Sequence, residues 1–285
     1  MKNKLGIIGY GVVGKALGSV FAKKFELVIY DKYISEHNNL SKVLKACEEF
    51  FVAVPTPMSA EGEIDLSYVR NALQSISEEL KVINKKSVLV VLRSTIIPGT
   101  TEQLQKEFPT LKLVFNPEFL TERTYLEDMH NTARVVLGGD KKDCKKIEEI
   151  YKEIFPKAKY IITDSKTAEM IKYSANVTLA GQVIIANELF QICEKLGIDW
   201  TFVRDAIVID PLIGKNNNVP GPDKDFGFGG KCLPKDLNAL IHLAKQKGYN
   251  PEFLEQMWKT NLKVRKHHNW ESIKGATSKN GFKSI

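Results

Sequence analysis

The residue with the richest chemical setting in this 285-residue chain is Cys232. It lies in Phe226-Gly227-Phe228-Gly229-Gly230-Lys231-Cys232-Leu233-Pro234-Lys235-Asp236, at the mouth of a glycine-rich run and just ahead of a stretch with helical periodicity. A thiol at a helix start meets unbonded N–H groups and the positive end of the helix dipole, and Lys231 and Lys235 add cationic charge. All of these favour the nucleophilic thiolate. Asp236 opposes them in part and can orient Lys235 or a water. The competing reading of a lone cysteine is a small buried apolar residue. Cys47, Cys144 and Cys193 take that reading, since they lie in helical stretches with no glycine-rich approach. No CxxC or zinc-type spacing relates the four, so no metal site is expected and the protein reads as a reduced, cytoplasmic one.

A second constellation stands near the amino terminus. Gly9-Tyr10-Gly11-Val12-Val13-Gly14 follows a short apolar run and opens a helical one, the setting that gives a GxGxxG its meaning. Gly9 permits a tight turn, Gly11 lets the backbone approach a pyrophosphate, and Gly14 lets helix pack on strand. The helix start at Val12 and Val13 then faces the anion. Asp31 ends the second strand, where a carboxylate accepts ribose hydroxyls and repels a 2′-phosphate. NAD is therefore the expected cofactor rather than NADP, although Lys32 beside it blunts the contrast. The plainer alternative is a strand–helix turn with an aspartate at a strand end.

The elements that must hold these groups follow from periodicity. Strand-like runs at Leu5–Gly9, Glu26–Tyr30, Phe50–Val54, Ser87–Leu92, Lys112–Phe115, Arg134–Leu137 and Tyr160–Ile162 alternate with helical patterns, including Val12–Lys24 and Lys141–Ile154. That alternation predicts an α/β, Rossmann-type, doubly wound parallel sheet. From Ser165 the strands stop. Thr167–Leu196 reads as one long helix with Ala168, Ile171, Ala175, Leu179, Ile184, Ala186 and Leu189 lining its buried faces, and shorter helices are expected at Asp199–Ile207, Pro234–Lys247 and Pro251–His268. The expected division is residues 1–165 for NAD binding and residues 166–285 for a long-helix all-α domain carrying the cysteine loop. Asp210–Lys231 is rich in Gly, Pro and Asn, too irregular for regular structure and too long for an incidental connector. The segment from Gly275 is small, polar and basic, and is expected to be poorly ordered.

Composition sets the outer limits. An apolar fraction of 43% and a charged fraction of 26% are those of an ordinary globular protein. The net charge of +7 suits nucleic acid or small anions alike, but the lysines fall in runs such as Lys141-Lys142 and Lys145-Lys146 that read as solvated helix faces. No nucleic-acid partner is expected. Every apolar run is cut by Gly, Pro or charge within about ten residues, which excludes a membrane span.

Taken in order, the glycine fingerprint, Val54-Pro55-Thr56-Pro57, Ser94-Thr95 followed by Pro98-Gly99-Thr100, Asn116-Pro117-Glu118-Phe119-Leu120, Glu169-x-x-Lys172-x-x-x-Asn176 and GFGGKCLPKD resemble the UDP-glucose and GDP-mannose dehydrogenases. The likeness runs from Lys4 to about His268. It implies that a sugar 6-hydroxyl is oxidised twice, to a carboxylate, with two NAD and through a thiohemiacetal and a thioester on Cys232. It assigns Lys172 and Asn176, one helical turn apart on one face, to the developing oxyanion. Asp236 would move protons and hold a water with Lys172. Glu118 would be the base of thioester hydrolysis, a role that a carboxylate beside a bound water can take if burial lifts its pKa. Thr95 and Glu122 would lie toward the nicotinamide, with Val54, Pro55, Thr56 and Lys235 among the cofactor contacts. Phe119, Leu120, Glu122, Phe228 and Gly229 would join Lys172, Asn176 and Cys232 around the nucleotide sugar, and a homodimer would share the long helix. Without the motif, Glu118 and Glu122 read equally as surface or helix-start carboxylates, and Lys172 as a solvated lysine.

The sequence departs from the family pattern in places. Relatives usually carry a third, carboxy-terminal domain that grips the nucleotide, and this chain stops where it would begin. Leu212 stands where an arginine is usual, Arg123 replaces a glycine, and Asn131-Thr132-Ala133-Arg134 replaces Pro-Asp-Arg. Asn216–Asp225 reads either as a closing loop or as a rigid proline-rich one. Two other functions remain open: a single-hydride β-hydroxyacid dehydrogenase, and an idle NAD-binding or assembly protein.

Overall fold

The computed structural model describes residues 3–59, 62–210, 213, 218–273 and 276–277. It divides into two compact units. Unit 1 holds the chain to Thr56 together with Leu66–Lys172, and unit 2 holds Pro57–Asp65 with the chain from Tyr173 onward. The break falls inside the long helix, eight residues after its first residue Ser165.

Unit 1 is a seven-stranded sheet in the order β2-β1-β3-β4-β5-β6-β7. The strands are β1 (Lys4–Ile8), β2 (Glu26–Tyr30), β3 (Glu49–Val52), β4 (Val88–Leu92), β5 (Leu111–Phe115), β6 (Arg134–Gly139) and β7 (Lys159–Thr163). The central strand, VLVVL, is buried at every position, as a strand covered on both faces must be. Six helices connect them: α1 (Val12–Phe21), α2 (Leu40–Ala46), α3 (Ser67–Val82), α4 (Thr100–Glu107), α5 (Tyr125–His130) and α6 (Lys141–Lys152). On one face Val43, Leu73, Ile76 and Leu104 pack on Phe50, Val90 and Phe115. On the other, Leu17, Phe21, Ile147 and Tyr151 pack on Ile7, Phe51 and Val91. Each such side chain contributes roughly 1.5–3 kcal/mol through burial.

Periodicity locates the strands and α1 and α6; it marks a helical stretch at Cys47, which lies just past the end of α2 rather than within it, and it does not locate α3 to α5. The sheet also departs from the all-parallel expectation, because β6 runs antiparallel to β5, pairing Phe115 with Gly138 and Val114 with Gly139. The chain after Phe115 stays beyond the carboxyl end of β5, so β6 enters from that end and returns along it. The remaining pairs are parallel.

The 32-residue helix α7 (Ser165–Leu196) is about 48 Å long. Unit 2 continues with α8 (Trp200–Ile207), α9 (Cys232–Gln246) and α10 (Glu252–Val264). Its core joins Phe228, Leu237, Ile241, Met257, Trp258 and Trp270. Helix α10 stops at Val264, short of the expected His268, because Arg265 turns extended and its guanidinium donates to Phe226 O and Asp223. Of the stretch from Gly275, Ala276 and Thr277 are described; Ala276 is buried and accepts from Met58 N. Leu212 and residues 214–217 lie outside the described residues. Among those described, no helix is long and apolar enough to cross a membrane.

Candidate active site

The amino-terminal fingerprint is built as a cradle. Gly9 turns the chain out of β1 at φ +90, and a Cβ there would meet the Ala53 carbonyl at 2.5 Å. A Cβ on Gly14 would lie 2.1 Å from the Gly9 carbonyl, so α1 packs against the strand end with no room to spare. Gly11 faces open space, with nothing within 4 Å of its would-be Cβ. It heads α1 without any side-chain cap, which leaves N–H groups of the first turn, with Val12 and Val13, for an anion. Asp31 follows β2 and accepts from Tyr10 N at 2.8 Å and from Tyr33 N at 2.9 Å, tying the cradle to the second strand. Lys32 beside it is exposed. Ser94 holds Val54 through both its N–H and its carbonyl, so Val54, Pro55, Thr56 and Thr95 follow neighbouring strand ends, β3 and β4. These are the carboxyl ends at which such sheets bind ligands. An open Gly11 between two tight glycines fits a dinucleotide pyrophosphate.

Further along the same edge, β5 delivers Glu118. It is buried, and its carboxylate pairs with Lys172 of α7 at 3.0 Å and accepts from Leu120 N at 2.7 Å. Burial pushes the group up, yet Lys172, the Leu120 N–H and Arg93 together outweigh it and hold the carboxyl below its usual range. The expectation of a pKa lifted by burial is thereby reversed, and Glu118 rests ionised. Lys172, itself buried, lies 5.6 Å from the centre of the Phe119 ring, and Arg134 stacks on that ring at 4.1 Å. Leu120 is half-buried and Glu122 exposed. A cavity of about 290 Å³ adjoins them, lined among others by Arg93, Glu118, Phe119, Leu120 and Arg134.

Sequence reasoning missed the buried network that holds Asn116, two residues before Glu118. Buried Arg93 donates to Asn116 Oδ1 at 2.5 Å and to the Asn116 carbonyl at 3.3 Å, with the Tyr151 oxygen 3.2 Å away. Tyr151 donates to the same Asn116 oxygen, and Asn116 Nδ2 donates to Val136 O. The available signal was an arginine set directly after the wholly apolar β4; Tyr151, in a lysine-rich helix, gave none. Glu169, one turn before Lys172, accepts from Gly99 N, Thr101 N and Thr101 Oγ1 and so caps α4. Burial pushes Glu169 up to about 7 against those donors.

In unit 2, Cys232 is the first residue of α9 and is half-buried. Gly230, at φ +76, and Lys231 lead into it. Asp236, one turn along α9, is buried between two donors, Asn176 Nδ2 and the Lys235 ammonium. Lys235 is itself buried against Asp236 rather than extended into solvent. Phe228 commits its ring to the core beside Trp258, and Gly229 follows it on the approach to the thiol. The other thiols differ in kind. Burial pushes Cys47 up to about 11 and Cys144 up to about 12, which keeps both protonated and unreactive.

Residues 25–156 match the NAD binding domain of the UDP-glucose/GDP-mannose dehydrogenase family, and residues 166–263 match its central domain. The chain belongs to the UDP-glucose/GDP-mannose dehydrogenase family. Within that family it is 36% identical over 243 residues to UDP-glucose 6-dehydrogenase TuaD of Bacillus subtilis (strain 168), covering 84% of this chain and 51% of that protein. It is 33% identical over 236 residues to the UDP-glucose 6-dehydrogenase of Rickettsia felis, covering 81% and 50%. The chain thus spans about half the length of these curated relatives. A solved UDP-glucose dehydrogenase from Pyrobaculum islandicum superposes with a TM-score of 0.81 at 28% identity, over 92% of this chain and 68% of that one. The fold alone is shared with a 3-hydroxyisobutyrate dehydrogenase of Mycobacterium tuberculosis, at a TM-score of 0.68 and 15% identity, over 92% of this chain and 94% of that one.

Proposed function

We propose that this family member oxidises the 6-hydroxyl of a nucleotide sugar of the UDP-glucose kind to the carboxylate, with Cys232 carrying the substrate carbon between two oxidations. The observation that carries the reading is the placing of Cys232 at the head of α9 with buried Asp236 one turn on, joined to Asn176 and Lys235. The fingerprint glycines and Asp31 would hold NAD, which when bound supplies the hydride acceptor for each oxidation.

The chain's own groups account for the rest. The Cys232 thiolate adds to the aldehyde carbon formed by the first oxidation, giving a thiohemiacetal; its oxidation gives a thioester. Lys172 and Asn176, four residues apart on α7, donate to the oxygen that gains charge as the sulfur adds. Each is kept in place by a carboxylate, Glu118 and Asp236 respectively. Ionised Glu118 takes a proton from the water that attacks the thioester carbon, releasing the sugar carboxylate and regenerating the Cys232 sulfur. Thr95, Glu122, Phe119, Leu120 and Gly229 are read as the groups that shape the cofactor and sugar contacts; Phe228, expected among them, has its ring in the core and its backbone on Asn261 and serves as their support.

Leu179 and Leu189, expected on buried faces of α7, are exposed, and Leu189 recurs with exposed Ile185, Ile192 and Leu196 at spacings of four, three and four, the seam of a helix that packs on another helix. We read it as the face on which two copies pair, in a cytoplasmic homodimer. The single-hydride alternative rests on the shared fold with the hydroxyacid enzyme.

Counting NADH formed per carboxylate from UDP-glucose, GDP-mannose and UDP-N-acetyl sugars separates the readings. Two NADH per product, and none from Cys232→Ala, supports the proposal. One NADH per product, with Cys232→Ala still active, replaces it with the hydroxyacid reading. NAD binding with no NADH from any of these sugars leaves an assembly role.

A further inference from the structure

Among the described residues, the glycine-rich approach to Cys232 pairs with no strand, yet its backbone groups are held. Gly227 N donates to Asn187 Oδ1 at 2.9 Å, Phe228 N to Asn261 Oδ1 at 2.8 Å, and Gly230 N to Asn269 Oδ1 at 2.9 Å. Asn261 also returns its Nδ2 to the Phe228 carbonyl at 3.1 Å. A carboxamide pairs a carbonyl acceptor with an N–H donor, as a peptide does, so Asn261 treats Phe228 as a neighbouring strand would. Asn261 is fully buried and Asn187 nearly so, which makes each of these bonds one that cannot be exchanged for water without cost. Arg265, also buried, adds a donor to the Phe226 carbonyl.

The glycines read differently in this light. A Cβ on Gly227 would come within 2.3 Å of Asn261 Oδ1, and one on Gly229 within 2.2 Å of the Arg265 guanidinium and 2.6 Å of Asn269 Oδ1. The run is glycine-rich because side chains from elsewhere press onto its backbone. Left to itself, such a run would be the least ordered stretch of chain before the thiol.

Resting on the proposed thiol chemistry, the geometry points to Asn187, Asn261 and Asn269 as positioning residues for Cys232. They come from α7, from α10 and from the short 3₁₀ turn Asn269–Glu271, and they fix the direction from which a substrate carbon reaches the sulfur. They touch neither substrate nor cofactor in this role, and act through residues 227–230.

The test uses the differing bonds of two of them. The Gly230 N–H needs an acceptor at residue 269, which Asn269→Asp keeps and Asn269→Leu removes. Phe228 needs both an acceptor and a donor at residue 261, so Asn261→Asp and Asn261→Leu each break the pair. The readout is the alkylation rate of Cys232 by iodoacetamide across pH 6–9 on the full chain without substrate, followed by peptide mass, alongside kcat, KM and thermal midpoint. Expected are an Asn269→Asp rate within about twofold of the parent, and a fall of at least about fivefold at pH 7 for Asn269→Leu and for both Asn261 variants. The kcat should fall with the alkylation rate while the KM for NAD holds. Parent-like alkylation profiles in Asn269→Leu and both Asn261 variants would overturn the assignment, and so would equal losses in Asn269→Asp and Asn269→Leu. Alkylation needs no sugar or NAD, so it decides this point even if the parent oxidises no nucleotide sugar.

Discussion

Removing the Lys172 ammonium should expose how firmly unit 1 depends on it. Its Nζ lies 3.0 Å from Glu118 Oε1, with side-chain exposures of 3% and 9%. At an effective dielectric of about 20, that contact is worth roughly 5 kcal/mol of Coulomb energy. Breaking a buried pair by deleting one partner costs about 3–5 kcal/mol, because the other charge stays buried. For a chain of this size that corresponds to a fall of roughly 6–20 °C in the thermal midpoint of Lys172→Met. The pH dependence carries the sign. In the parent, Glu118 is held below the usual carboxylate range, so its contribution is present above that range and lost as pH falls through its depressed value. Without Lys172 the burial effect gains ground and pushes the carboxyl up. The deficit of the variant should therefore be small near pH 4 and widen toward pH 8. Lys172→Met/Glu118→Gln, which removes the stranded charge, should recover at least half of the loss. Thermal unfolding of the NAD-free chain by circular dichroism at pH 4, 6 and 8 measures all of this. A deficit of equal size at pH 4 and pH 8, or a double variant no more stable than the single one, would refute the reasoning.

The two fingerprint glycines should separate binding from stability. Gly11→Ala adds a methyl to open space and should keep the thermal midpoint while losing NAD affinity by calorimetry, whereas Gly14→Ala drives a Cβ toward the Gly9 carbonyl and should lose about 1–3 kcal/mol as well. Glu169, pushed up to about 7 by burial, stabilises the fold most below about pH 4.5. That advantage should be lost as pH rises through 7, a change of roughly 3 kcal/mol that Glu169→Gln flattens in denaturant titrations. Leu189→Glu places a charge in the exposed apolar seam of α7 and should give a monomer by light scattering where the parent gives a dimer; a parent already monomeric at micromolar concentration would remove the dimer reading.

The sequence revealed these features unevenly. All seven strands were legible because a sheet covered on both faces demands unbroken apolar runs such as Val88–Leu92. The bounds of α2 and the existence of α4 were not, the two helices being seven and eight residues long and fixed by packing rather than by their own pattern. The reversal of β6 was invisible because strand direction depends on where the intervening chain travels. Local context singled out Cys232 with Asp236 near it, and the family resemblance added Glu118, Lys172 and Asn176. It could not give the protonation state of Glu118, which is set by Lys172 from 54 residues away, by the Leu120 N–H and by Arg93. Asn187, Asn261 and Asn269 escaped notice for a related reason, since a polar residue on a helix looks solvated until the loop it holds is placed against it.

The most direct test of Cys232 as the carrier of substrate carbon is peptide mass spectrometry on Glu118→Gln after incubation with NAD and UDP-glucose. With hydrolysis slowed by the loss of its base, the account predicts an acyl adduct of the oxidised sugar nucleotide on the Cys232 peptide and a single burst of NADH. Continued NADH production with that peptide unmodified would contradict it.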